Sequence, residues 1–492
     1  MNIDVLQGLP GSGKSYRLLE EMASVPGLYL FAVPRIDLSA EKKQDLEALA
    51  SRFRTAPKIW EINSDHPKAQ SIAKRIEDLP ARFENEKHAI IIVTHEGLMG
   101  ADLSGFSGWH ARIDETPNGL SSGSLRVAAS LTGLKASYEL RPRGSGWSHV
   151  VATANAPSLP SILKDTLAGP LATIHKHANR PQGVFFDAES WDEVANRGGT
   201  LTWLSVWTPI ALEAFESIKI GASSYEHSLV HRATKTLHPD KIAVKVTTLP
   251  ARHEIRCRFL IHYFTSAHRG STSFWKVGDG AKALGAVGGY LSQRQLGYWS
   301  GNELVRERFM YLLSQTGGEE VSPKIEGTNT LKDKTSCAYI YSSKRQDGDK
   351  PIMDIFGLDA EDIEKAREQE DVFQFVMRGA PRNPDYEGDY HIYLYSKDQA
   401  DCLASALRAH GVTMIDLCPV EDAGIMDLIR ERKPRPVKEV DKATKDNERR
   451  KRDKERKARK RHAARSEKIM TGEYRRPGRP QKQAGSGDQP HV

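Results

Sequence analysis

The stretch "DVLQGLPGSGKSYRLLEE", residues 4–21, constrains the fold more than any other part of the chain. An apolar strand runs into a glycine-rich turn, then a lysine, a serine and an amphipathic helix. Gly8, Gly11, Gly13, Lys14 and Ser15 fit the phosphate-loop pattern G-x-x-x-x-G-K-[ST]. Glycines let backbone N–H groups turn inward around phosphates, and the helix start adds its dipole. Lys14 is placed to neutralise β- and γ-phosphate oxygens and Ser15 to ligate Mg²⁺. A strand–loop–helix of this kind belongs to a parallel α/β sheet, so nucleoside triphosphate is the expected substrate class.

The rest of the chain extends that expectation. Up to about residue 240, short apolar runs ("NIDVLQ", "LYLFAVP", "KIWEIN", "HAIIIVTH", "WHARIDE", "SIKIGAS") alternate with amphipathic stretches, the pattern of a parallel sheet flanked by helices. Between them, about 117–215 is longer and less regular and reads as a mostly helical insertion. "KTLHPDKIAVKVTTLPARHE" reads as a linker. A second α/β set follows over 241–425, with "IRCRFLIHYF", "LGYWSGN", "TSCAYIYSS" and "GDYHIYLYS" as strands. Its aromatics Phe274, Trp275, Tyr290, Tyr298 and Trp299 suit either base stacking or core packing.

Charge separates the last segment from the rest. The chain carries a net charge of +7, yet residues 431–492 hold 22 Lys and Arg against 10 Asp and Glu, leaving 49 against 54 before them. The basicity therefore belongs to the 426–492 tail. "NERRKRDKERKARKRHAARSEK" suits a solvated charged helix, and "RRPGRPQKQAGSGDQPHV" has the composition of disorder. Such a run attracts phosphates without reading sequence. Arg476, Gly478 and Arg479 resemble a minor-groove hook, with Pro477 where that motif has arginine. No apolar run approaches the roughly 18–20 residues of a membrane span, and Asp4 followed by the phosphate loop is no secretory signal. Cys257, Cys337, Cys402 and Cys418 lie far apart, so a reducing cytoplasm is expected.

Two further pieces bear on chemistry. "GWHARIDETP" puts Asp114 and Glu115 after a strand, where Asp114 would hold magnesium and Glu115 would polarise an attacking water. A hydrolase needs that second carboxylate and a small-molecule kinase does not. "QFVMRGAPR" carries Gln374, Arg378 and Arg382 at i, i+4, i+8, one face if the segment is helical. Delivered from a second domain, such a guanidinium is an arginine finger; otherwise this is a surface helix with two arginines. No guanine-reading N-K-x-D stretch is present, which sets aside a switch GTPase.

In order, "GLPGSGKS", "FAVPRIDLSAEK", "VTHEGL", "RIDETP", "KIGASS", "IEGTNTLKDKTSCAYIYSS" and "QFVMRGAPR" resemble the motifs of superfamily 2 DEAD/DEAH-like helicases. The resemblance is greatest to the divergent phage- and mobile-element-associated branch and covers residues 1 to about 400. It implies two RecA-like P-loop domains in tandem and an ATP- and Mg²⁺-dependent motor on nucleic acid, DNA rather than RNA. Protein partners in replication, repair or mobile-element complexes would fit. It implies that Lys14, Ser15, Asp114 and Glu115 bind and hydrolyse ATP, and that Pro34, Arg35, Thr94 and His95 touch the nucleic-acid backbone. Gly221, Ala222 and Ser223 would couple hydrolysis to strand separation, and Gly327 and Asn329 would form a loop near nucleotide and strand. Gln374, Arg378 and Arg382 would form the sensing motif, with Arg382 favoured as the finger; the arginines are four apart here and three apart in many members. An adenine-reading glutamine motif is not evident, Gln7 being a candidate only by nearness.

Overall fold

The computed structural model describes residues 1–64, 70–127, 134–144, 147–164, 171–178, 183–187, 191, 194, 198–314, 316–324 and 330–429. The first lobe is laid down by β1 (Asn2–Gln7), β2 (Leu28–Val33), β3 (Lys58–Ile62), β4 (Ala89–Thr94) and β5 (Trp109–Asp114). The chain then leaves for β6 (Leu120–Val127), β7 (Tyr138–Gly144), β8 (Trp147–Ala152), β9 (Val184–Asp187) and β10 (Gly199–Val206). It returns with β11 (Ser217–Ala222) and β12 (Ala243–Thr248).

Among the described residues, the first-lobe strands form one seven-stranded sheet in the order β12-β1-β11-β5-β2-β4-β3, every pair parallel. β2 and β4 read "LYLFAV" and "AIIIVT", continuous apolar runs suited to a strand covered on both faces, and Leu30 to Val33 and Ala89 to Val93 are buried. β5 breaks that rule with Arg112. The structure accommodates it: Arg112 Nη2 lies 2.9 Å from Glu21 Oε1 on helix α1 (Lys14–Ser24), and Nη1 donates to the Ala111 carbonyl oxygen at 2.8 Å. A buried guanidinium that keeps a carboxylate and backbone oxygens is tolerated where a bare one is not.

Two expectations are corrected here. Among its described residues, the 117–215 insertion is not mostly helical. It is built on a five-stranded sheet in the order β6-β10-β9-β8-β7, antiparallel at each pairing, with the short helices Leu159–Lys164 and Ala172–Ala178. Its strands are interrupted by Gly and Pro, which masked a period-2 alternation such as the inward Ser148 and Val150 alternating with Trp147, His149 and Val151. The "linker" contains β12, an edge strand parallel to β1 whose alternating exposure marks one solvated face.

The second lobe repeats the plan: β13 (Arg258–Thr265), β14 (Tyr298–Gly301), β15 (Glu319–Glu320), β16 (Ser336–Ile340), β17 (Asp389–Ser396) and β18 (Ile415–Pro419). They pair in parallel in the order β15-β14-β16-β17-β13-β18. Trp275, Tyr298 and Trp299 are core residues, which decides their use against base stacking. The fold class is therefore α/β, with parallel sheets in tandem, and residues 1–430 pack as one unit. Ile352, Phe356, Leu358 and Ile363 of the second lobe join the first-lobe cluster of Leu120, Leu204, Trp207 and Val230. Ser122 donates to Asp349 at 3.3 Å, and Arg367 grips the same carboxylate with two bonds of 2.9 Å. No helix among the described residues is long and apolar enough to cross a membrane.

A candidate nucleotide cleft between two lobes

Parallel strands present their carboxyl ends on one edge, where ligands of open α/β sheets collect. β1 ends at Gln7 before the phosphate loop, β2 before Pro34, β4 before His95, β5 at Asp114 and β11 before Ser223. The sequence-predicted residues of the first lobe thus share an edge because the strand order puts them there.

The loop itself has the required backbone. Gly11 and Gly13 adopt φ 92° and 91°, and Gly13 caps α1. A Cβ on Gly13 would lie 2.6 Å from Arg252 Nε, the movable end of a flexible side chain, so it is the left-handed backbone that calls for glycine. Lys14 is buried, its Nζ donating to the carbonyl oxygens of Gly8 (2.9 Å) and Leu9 (3.1 Å) and reaching Ser223 Oγ at 3.4 Å. Ser15 Oγ donates to Asp114 Oδ1 at 2.6 Å. That contact brings together a hydroxyl and a carboxylate of the type that shares a hydrated Mg²⁺, so the residues fit the ion. Between β1 and β5, a Cβ on Gly221 would come 3.3 Å from Leu18 and 3.4 Å from Lys14 Cβ; glycine lets β11 pass directly beneath the lysine.

Glu115 is one of two non-glycine residues with positive φ among the described residues, at 63°. That conformation costs of order 1–3 kcal/mol and clusters at functional sites. Its N–H donates to the Gly221 carbonyl at 2.7 Å.

The second lobe contributes from the opposite side. The helix Glu370–Val376 ends before Arg378, and Ala380–Arg382 is a 3₁₀ turn, so the expected continuous helical face does not exist. Pro381 and Gly379 end the helix, and the chain folds back instead. Gln374, Arg378 and Arg382 nevertheless converge. Gln374 Nε2 donates to Ser223 Oγ and, at 3.0 Å, to Glu370 Oε1; Arg378 Nη2 donates to Gln374 Oε1 at 3.2 Å. Arg382 Nε donates to the Met377 carbonyl at 2.9 Å, and its side chain lies 3.7 Å from the position a Gly11 Cβ would take. A chain of hydrogen bonds therefore links Lys14 through Ser223 and Gln374 to Arg378, across the lobes.

One cavity of about 500 Å³ is lined by Gly11, Gly13, Lys14, Ser15, Asp114, Glu115, Arg378 and Arg382. Its electrostatics are unbalanced. Burial lowers the Lys14 pKa, opposed by Glu115, Asp114 and Glu370 and reinforced by the Arg378 cation. Burial, then the Arg378 charge, also works against the Arg382 cation. Burial raises Asp114 despite its Ser15 bond. Buried cations that repel one another are the arrangement that an entering polyanion relieves.

His95 does not stand at a surface. It is buried, its Nε2 donating to the Asp114 carbonyl oxygen at 2.9 Å, and burial lowers its pKa to about 4, so it is a neutral ring. The residue expected to meet a nucleic-acid backbone is thus turned inward, onto the Asp114 carbonyl. Thr94 caps the following helix, accepting from the Gly97 N–H at 3.1 Å. Pro34 lines the cavity, and Arg35 lies 3.5 Å from Asp37. Gly327, Asn329, Arg476 and Arg479 lie outside the described residues.

Sequence reading missed several lining groups. Glu41, Lys42, Asp45 and Arg52 come from helix α2 (Ile36–Phe53), where Glu41, Asp45, Ala48 and Arg52 recur at helical spacing, a signal that was available. Arg252 stacks 4.9 Å from the Tyr16 ring, and Arg52 Nη1 donates to Tyr16 Oη at 3.2 Å. Nothing local in the sequence marks Arg252. It follows β12, which carries it back over the loop.

No family model and no curated protein match this chain. Among solved structures it is similar to an XPD helicase, at TM-score 0.44 and 11% identity over 85% of this chain and 96% of that one. It is similar to S. tokodaii Xpd4, at TM-score 0.45 and 11% identity over 84% and 95%. It is also similar to S. cerevisiae Dbp5 solved with RNA and ADP BeF3, at TM-score 0.35 and 9% identity over 86% and 88%. The likeness is one of chain trace; residue roles rest on the geometry above.

Proposed function

We propose that this chain is an ATP-hydrolysing motor of superfamily 2 helicase type, built on tandem RecA-like lobes. The observation that carries the reading is the convergence of Lys14, Ser15, Asp114 and Glu115 with Arg378 and Arg382 on one cavity. Triphosphate would lie on the loop with Lys14 at its terminal oxygens. Ser15 and Asp114 would hold Mg²⁺, which screens phosphate charge when bound. Glu115 orients and deprotonates the water, and the two arginines stabilise charge as the γ-phosphoryl departs. Tyr16 and Arg252, beyond Ser15, form the wall where ribose and base would extend. Because the arginines and Gln374 belong to the second lobe, loss of the γ-phosphate removes a tie between lobes, and closure and reopening would move a nucleic-acid strand.

DNA is preferred to RNA, helicase or translocase activity is the expected output, and Gly221 to Ser223 are the coupling element, with the basic tail adding sequence-independent affinity. The four cysteines are free thiols. The test is ATP hydrolysis by wild type and Lys14→Ala: hydrolysis abolished by the substitution supports the reading. Nucleic-acid binding unchanged by it, with no hydrolysis in wild type, would mark a scaffold with an inert nucleotide fold.

A further inference from the structure

The Asp114–Glu115 peptide is held at both ends. Its N–H donates to the Gly221 carbonyl at 2.7 Å, and its carbonyl oxygen accepts from His95 Nε2 at 2.9 Å. A carbonyl can only accept, so the proton sits on Nε2. The two partners come from different strands. Gly221 is on β11, which adjoins β5; His95 follows β4, separated from β5 by β2. The imidazole therefore reaches across the end of β2 to grip this peptide. Its own backbone is fixed, since the Thr94 hydroxyl caps the helix that His95 begins.

The peptide so clamped is the one that precedes the left-handed Glu115 at φ 63°. A left-handed non-glycine residue persists only when its surroundings over-determine it. Relaxing φ to the ordinary negative region would rotate the Glu115 side chain away from the cavity that it lines with Lys14, Asp114 and Arg378.

We infer that His95 is a positioning residue for Glu115: its Nε2–H locks the Asp114 carbonyl, and with it the strained backbone that aims the Glu115 carboxylate into the interlobe cleft. This rests on the hydrolase reading of Glu115. His95 bonds the Asp114 carbonyl oxygen and not the carboxylate that meets Ser15, so its loss acts first on the Glu115 backbone and the chemical step.

The experiment compares His95→Leu, which removes the donor, with His95→Gln, whose side-chain amide replaces Nε2–H at similar reach. In His95→Leu, kcat for ATP falls by about 100-fold, the scale of a displaced general base, while KM changes by less than about threefold. His95→Gln recovers most of the loss. Without nucleotide, the Glu115 amide exchanges with solvent faster in His95→Leu and at the wild-type rate in His95→Gln. A His95→Leu protein with wild-type exchange and kcat overturns the inference, as does equal loss in both variants at equal melting temperature. If wild type hydrolyses no triphosphate, the exchange comparison still decides whether His95 holds the peptide, and the functional reading alone falls.

Discussion

Replacing Arg378 with alanine separates function from stability more sharply than any other change in the cleft. Its guanidinium is buried, donates to Gln374 at 3.2 Å, and repels both Lys14 and Arg382. As one of the two cleft arginines proposed to stabilise the departing phosphoryl it is worth about 10³–10⁵ in kcat, or roughly 4–7 kcal/mol of barrier. Its contribution to the nucleotide-free fold is a near cancellation. Lys14 and Arg382 repel the guanidinium while Asp114 attracts it, interactions of about 1–4 kcal/mol each that partly offset one another. Against that, deletion loses the charged hydrogen bond to Gln374, about 1.5–3 kcal/mol, and the packing of the stem. Arg378→Ala should therefore melt within about 3 °C of wild type without nucleotide, yet turn over at least a thousandfold more slowly. Steady-state ATPase and a thermal melt read the two quantities. A kcat within threefold of wild type, or a melt lowered by more than about 10 °C, would refute the reasoning: the arginine would then be a structural group.

Other consequences are as direct. Glu21→Gln leaves the Arg112 cation in β5 without its charged partner and should cost about 3 kcal/mol, read as a lowered urea midpoint. Burial, opposed by Lys324 and the Tyr341 bond, raises Asp371 to about 6 from 3.8. A raised acid gives stability that is full below the unfolded value and lost as pH rises through the folded one. Asp371→Asn should thus be more stable than wild type at pH 7.5, with the difference vanishing below about pH 4, as urea titrations at the two pH values would show. Ile352→Ala cuts into the cluster shared between the lobes and should cost about 2–5 kcal/mol; calorimetry should show the unfolding of residues 1–430 broadening or splitting.

The parallel scaffold was legible because buried strands such as "AIIIVT" declare themselves by composition, and the phosphate loop by its glycine spacing. The insertion was not, since strands broken by Gly and Pro and paired over long separations leave only a faint alternation: β6 pairs with β10 some eighty residues on. Within the cleft, Lys14, Asp114 and Glu115 follow from local pattern. Arg252 does not, being placed by the return path of β12, and neither does the inward turn of His95, which depends on β5 lying two strands away. Gln374, Arg378 and Arg382 were grouped for an incorrect reason. A helix was expected; a helix end and a 3₁₀ turn bring the same side chains together.

Coupling between nucleotide and polymer is tested most directly by ATP turnover measured alone, with single-stranded DNA, with duplex DNA and with RNA, in wild type and Glu115→Gln. A coupled motor should show many-fold stimulation of wild type by nucleic acid, DNA above RNA, and a Glu115→Gln protein that binds Mg-ATP normally but does not turn it over. Binding of Mg-ATP by both proteins with no turnover under any nucleic acid would contradict it.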